Sequence, residues 1–161
     1  MRKIDDMGLR LCRIQAEIFE ESVSLTKCSS PVFLRRFMYS DVASRMDNIG
    51  FLFESCNTKT VIEDIENQFG ETDYGKERYG VEELYWMGYL YRYWCYTSEK
   101  TSRQVYKIMK PKELRGLYYP YHSLDPAQAI DRILEAKQMK EEDLTRRGIE
   151  ILREIIKRKN H

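Results

Sequence analysis

Apolar side chains recur along this chain every three or four residues, the period of a helix face, and almost nowhere alternate as they would in a strand. Ile4, Leu9, Leu11, Ile14, Ile18, Phe19 and Leu25 mark an amphipathic helix over residues 4–25. Ser30 and Pro31 then make a start signal, an N-cap followed by a first-turn proline. Val32, Phe33, Phe37, Val42 and Met46 form the inward stripe of the next run, with Arg35 and Arg36 turned outward and a stop near Asn48-Ile49-Gly50. The segment FLFESCNTKT reads as extended, and Thr58 or Thr60 caps a short helix, VIEDIENQF, closed by Gly70. Residues 70–80 contain Gly70, Gly75 and Gly80 and are predicted to be an exposed loop, the segment most suited to movement or contact.

A helix over residues 81–96 follows, and Thr97, Ser98 or Thr101 caps the next one, SRQVYKIM. Pro111 ends that helix and opens a short one, PKELRGLY, before the link YYPYHSLDP. Asp125 and Pro126 start AQAIDRILEAKQ, and the last segment, EEDLTRRGIEILREIIKRK, has acids in its first turn and bases in its last, as the helix dipole favours. Leu144, Ile151, Leu152, Ile155 and Ile156 give that segment an apolar stripe. About seven or eight helical segments without a strand pattern predict an all-α fold, a compact multi-helix bundle. Residues 1–139 form the helical domain, and 140–161 are a C-terminal helix attached to it.

The stretch LYWMGYLYRYWCYT, residues 84–97, departs from amphipathic patterning. On a helical wheel its apolar and aromatic residues cover the whole circumference, so this helix belongs at the centre with others packed on every side. Gly88 inside it marks the close approach of a neighbouring helix. Arg92 needs a carboxylate if buried, and Asp41, Asp64, Glu82 and Asp125 are the candidates. Tyrosine hydroxyls likewise need partners or water. A Tyr, Trp and Arg cluster left partly open has the composition of a protein-interface hot spot, and Tyr89, Arg92, Tyr93, Tyr96, Tyr118, Tyr119 and Tyr121 are the residues expected to serve one.

Composition narrows the function classes. The 161 residues are 42% hydrophobic and 33% charged, a globular balance, and 27 basic against 26 acidic residues leave a net charge of +1. Nucleic acid would therefore need a local patch, and one exists: Lys100, Arg103, Lys107, Lys110, Lys112 and Arg115, interleaved with Tyr106, Tyr118, Tyr119 and Tyr121. A helix–turn–helix reading of 85–115 is the alternative function. The N-terminal stretch is too charged for a secretory leader and no run is long enough to span a membrane, which predicts a cytoplasmic protein without a membrane partner. Cys12, Cys28, Cys56 and Cys95 are widely spaced, and with His122 and His161 they make no metal-ligand pattern; no metal and no cofactor are expected. No nucleophile elbow, phosphate loop or metalloprotease motif is present, and His122 is predicted to hydrogen-bond its own turn rather than act as a base.

The run SSPVFLRRFMYSDVASRMD, followed by YGKERYGVEELYWMGYLYRYWCYTSEKTSRQVYKIMKPKELRGLYYPYHSLDPAQAIDRIL, resembles a family of small proteins from Gram-positive, chiefly clostridial, bacteria and their mobile elements. The likeness spans about residues 29–134, with WMGYLYRYWCYT and LYYPYHSLDP its most distinctive parts. It implies an antitoxin-type or accessory member of a small operon: a bacterial, non-enzymatic protein that binds a partner protein, most plausibly a cognate toxin. It assigns no role to individual residues. A homodimer is also compatible with the C-terminal helix, which lies outside the likeness.

Overall fold

A computed structural model describes residues 2–48 and 57–160, so the expected extended stretch at 51–56, with Cys56, lies outside the described residues. Every described element is an α-helix, nine in chain order: α1 Asp6–Leu25, α2 Ser30–Met38, α3 Asp41–Met46, α4 Thr58–Phe69, α5 Val81–Ser98, α6 Ser102–Ile108, α7 Pro111–Gly116, α8 Tyr118–Tyr121 and α9 Pro126–Lys159. The fold is an all-α bundle, as the periodicity predicts.

Short polar residues start the helices, though often one position from the expected place. The Asp5 carboxylate accepts from the Gly8 amide at the head of α1, leaving Ile4 outside the helix. Ser29, not Ser30, caps α2, with Pro31 in its first turn. Ser40 splits the expected run in two by capping α3 through the Ala43 amide. Asn57 rather than a threonine caps α4, which Gly70 ends at φ +87°. Thr101 caps α6 in a reciprocal pair with Gln104. The YYPYHSLDP link contains a helical turn, α8.

Contacts divide the chain into two units, Met1–Pro126 and Ala127–His161. In the first unit α1 and α5 pack along most of their length, and α2, α3, α4, α6 and α7 close around them. Phe19 of α1 meets Phe33, Phe37 and Tyr91 edge-on at centroid distances of 6.1, 5.0 and 6.5 Å, the geometry aromatic quadrupoles favour. Gly88 supplies the close approach expected of it. A Cβ there would lie 2.9 Å from the Ala16 Cα, the Gln15 carbonyl oxygen and Phe19.

Residues 70–80 form no helix, as expected, but they are tied down. The Ser29 and Ser30 amides donate to the Tyr74 and Glu77 carbonyls, both at 2.9 Å, and the Ser30 hydroxyl accepts from the Tyr79 amide. Arg78 caps the end of α1 by donating to the Val23 and Thr26 carbonyls. The segment closes the buried start of α2, where helix amides lack partners within the helix.

The second unit is one helix. Where the sequence suggested two helices meeting near residue 139, α9 runs unbroken for 34 residues because QMKEE holds no proline or glycine to stop it. Its buried residues are Ala129, Ile130 and Ile133.

Gly88→Ala should destabilise the protein by about 1–3 kcal/mol in urea unfolding, because two of the three crowded atoms are backbone and cannot rotate away. This is the net loss after the roughly 1 kcal/mol of helix propensity that alanine adds. A more stable variant would show that α1 can retreat from α5.

Candidate partner-binding cleft

Arg92 determines which part of the aromatic tract is available. Its side chain is 1% exposed, and every nitrogen is engaged. Nε donates to Gln15 Oε1 at 2.7 Å, Nη1 to Asp47 Oδ1 at 2.7 Å and Nη2 to the Ser102 hydroxyl at 3.0 Å. Asp47 also accepts from the Ser102 hydroxyl at 2.8 Å and amide at 3.0 Å, while Gln15 Nε2 donates to the Gly88 carbonyl at 3.1 Å. The network joins α1, α5, the start of α6 and the residue that ends α3. None of the four acids expected to pair Arg92 does so; Asp47, 45 residues away, is the counter-charge.

Of the expected contact set, Arg92, Tyr93 and Tyr96 are buried and offer little area of their own, although Arg92 and Tyr96 line a cavity of about 430 Å³ with Arg2, Asp47 and Lys100. The Tyr96 hydroxyl donates to Asp5 at 2.6 Å, and the Arg2 guanidinium lies 4.0 Å from its ring centroid. That hydroxyl, together with the Gly8 amide, holds the Asp5 carboxyl below its ordinary 3.8. Tyr91 is sealed by its hydrogen bond to the Met109 carbonyl at 2.6 Å. The buried thiols are equally closed to chemistry: burial pushes Cys12 up to about 12 and Cys95 to about 11, so both stay protonated at neutral pH.

The remaining face of α5 is open. Tyr85, Trp86 and Tyr89 lie one turn apart and half-buried, and with Tyr118 and His122 they line a cleft of about 420 Å³. Tyr118 and His122, four residues apart across α8, stack at 4.5 Å with 21° between their planes. Trp86 meets Tyr118 edge-on at 5.7 Å. The His122 ring nitrogen Nδ1 lies 2.9 Å from the Tyr118 carbonyl and 3.1 Å from that of Tyr119, the turn interaction expected for it. Burial raises the Tyr89 and Tyr118 hydroxyls, and Glu82 raises Tyr118 further while accepting its hydrogen bond, so both remain neutral donors at the cleft wall.

Of the expected contact residues, then, Tyr89 and Tyr118 line the cleft and Tyr119, 86% exposed, lies beside it on α8. Tyr121 is half-buried on α8 and does not line it. Tyr85, Trp86 and His122 were missing from the expected set, although the spacing 82, 85, 86, 89 places one stripe on α5 and 118, 122 one on α8. Of the basic set only Arg115 is half-buried, and Lys100, Arg103, Lys107, Lys110 and Lys112 are exposed. Arg115 pairs with Glu77 and Glu83 at 2.9 and 3.2 Å, Arg103 donates to the Tyr39 carbonyl at 3.2 Å, and Lys110 sits 4.5 Å from the Tyr106 ring centroid. Among the described residues no three His, Cys, Asp or Glu side chains converge as a metal site would require, and no helix is long and apolar enough to cross a membrane.

Comparison with known protein families, with curated proteins and with solved structures gives no match in any of the three.

Asp47→Ala leaves the Arg92 charge buried without its carboxylate and should cost about 3–5 kcal/mol in chemical unfolding. Tyr96→Phe should lose stability only above the carboxylate range. Asp5 has a depressed folded pKa, so its contribution is present above 3.8 and disappears as pH falls through the lower folded value. Unfolding curves of wild type and Tyr96→Phe should therefore differ at pH 7 and converge as the pH falls below the lowered Asp5 value. A gap that persists in acid would mean that the hydroxyl acts through something other than Asp5.

Proposed function

We propose that this is a non-enzymatic binding protein, of the antitoxin kind suggested by its family resemblance, that holds a segment of a partner protein against the α5–α8 cleft. The observation that supports this reading is the half-open aromatic wall of Tyr85, Trp86, Tyr89 and Tyr118 on a helix whose opposite side is locked into the core. Trp and Tyr are the residues most often found at binding hot spots, because they bury a large rigid surface at small entropic cost while their polar tips fix orientation. The Arg92 network keeps α5 from yielding, so the cleft is formed before a partner arrives and little ordering is needed on binding. The partner segment that fits is apolar, with a basic group that reaches Glu82, the acid at the cleft wall.

The test is co-expression with the product of the gene beside its own. That neighbour expressed alone should arrest growth, and this protein should restore it. Trp86→Ala and Tyr118→Ala should each weaken the complex by about 30-fold or more, the loss of one hot-spot side chain, with the far-UV helical signal unchanged. A harmless neighbour, or rescue that survives both substitutions, would overturn the reading.

A further inference from the structure

We infer that the distal half of α9, from Glu141 to Lys159, pairs with the same segment of a second copy of the chain, the two helices running antiparallel. At 100° per residue, Leu144, Ile149, Ile151, Leu152, Ile155 and Ile156 fall within one arc of about 160°. All six are exposed, at 44% to 60%. Every charged residue from Glu142 to Arg158 falls outside that arc, and only the end residues Glu141 and Lys159 fall inside it. Six neighbouring large aliphatic side chains on one open face are far more than the scattered single hydrophobics of an ordinary surface.

Charge decides what covers them. The outward face carries five basic and four acidic residues between 142 and 158, and Asp143 pairs within the helix with Arg146 at 3.0 Å and Arg147 at 3.2 Å. A helix lying on an anionic lipid surface would show an excess of Lys and Arg there instead. Along its axis the segment is polarised: Glu141, Glu142 and Asp143 at one end, Lys157, Arg158 and Lys159 at the other. A second copy running in the opposite direction sets each acidic end beside a basic one; a parallel copy would set like against like.

The apolar residues obey the same symmetry. With a two-fold axis near Glu150, Leu144 comes opposite Ile155 and Ile156 of the other copy, and Ile149 opposite Ile151. Gly148 comes opposite Leu152. A Cβ at Gly148 would meet nothing within 4 Å in the single chain, so the fold of one copy does not require a glycine there. Across the pair it provides the space for Leu152 to seat. A segment whose large aliphatic residues meet and whose acidic end, Glu141 to Asp143, falls on its basic end, Lys157 to Lys159, under one rotation has the self-complementarity an isologous dimer needs.

Sedimentation equilibrium of the full chain at about 50 µM should give twice the 19.4 kDa chain mass, as it does for any dimer with a Kd of about 1 µM or below. Leu152→Glu or Ile155→Glu should give the single-chain mass with the helical signal retained, since both side chains are exposed in the single chain. Glu141→Lys with Glu142→Lys should weaken the dimer at least about tenfold at low salt, and adding Lys157→Glu with Arg158→Glu should restore it. A wild-type chain that stays monomeric overturns the inference, as does a Leu152→Glu variant that stays dimeric. A monomer that binds phosphatidylglycerol vesicles through Leu152 would give the face to a lipid surface and overturn it too. Charge reversal without rescue would exclude the antiparallel register.

Discussion

The interior of the first unit is organised around one guanidinium. Burying Arg92 is tolerable only if its charge is matched and its donors are filled, because an unpaired buried ion costs several kcal/mol. Four residues from four places in the chain meet that demand: Gln15, Asp47, Ser102 and, through Gln15, the Gly88 carbonyl. Apolar packing alone would let helices slide or rotate by small steps. A guanidinium fork has one geometry, so α1, α5 and α6 are held at one mutual register. Gly88 works with it by letting α1 approach α5 closely enough for Gln15 to reach both partners.

That constraint divides the aromatic helix by function. On the half that faces Arg92 the side chains are buried, and the Tyr91 and Tyr96 hydroxyls are taken up by the Met109 carbonyl and Asp5. The half that carries Tyr85, Trp86 and Tyr89 remains open and is completed by α8, whose Tyr118 and His122 stack as a second wall. A rigid interior and an accessible aromatic edge on the same helix are what a binding protein requires, since a wall that shifted under load would return part of the binding energy. The loop before α5 contributes to this rigidity. Glu77 and Glu83 hold Arg115 of α7, so a basic residue suited to phosphate is used to brace the scaffold.

The distal part of α9 poses the opposite problem. Asp143 pairs with Arg146 and Arg147 on its polar side, while six large aliphatic residues between Leu144 and Ile156 are exposed. Lys157, Arg158 and Lys159 complement the dipole in the last turn of α9, and the reversal of charge from Asp143 to Lys157 selects the direction of a partner helix. Self-association and partner capture would then use different surfaces, one helical and aliphatic, the other aromatic.

Local sequence determined much of this architecture. Helical periodicity, the caps at Thr101 and Gly70 and the prolines 31, 111 and 126 are all legible because each depends on residues within a few positions. One-residue errors, such as Ser29 for Ser30, arise where adjacent residues can serve the same role. The candidate site was half legible: Tyr89 and Tyr118 were expected, whereas Trp86 and His122 follow only once α8 folds against α5. Which face of an all-round apolar helix stays open is undetermined by its own wheel, since every direction looks alike. Only the tertiary structure decided it, by bringing Asp47 across 45 residues to Arg92; a long-range charge pair leaves no local signature, because several carboxylates could supply the same charge and only the packed chain selects one.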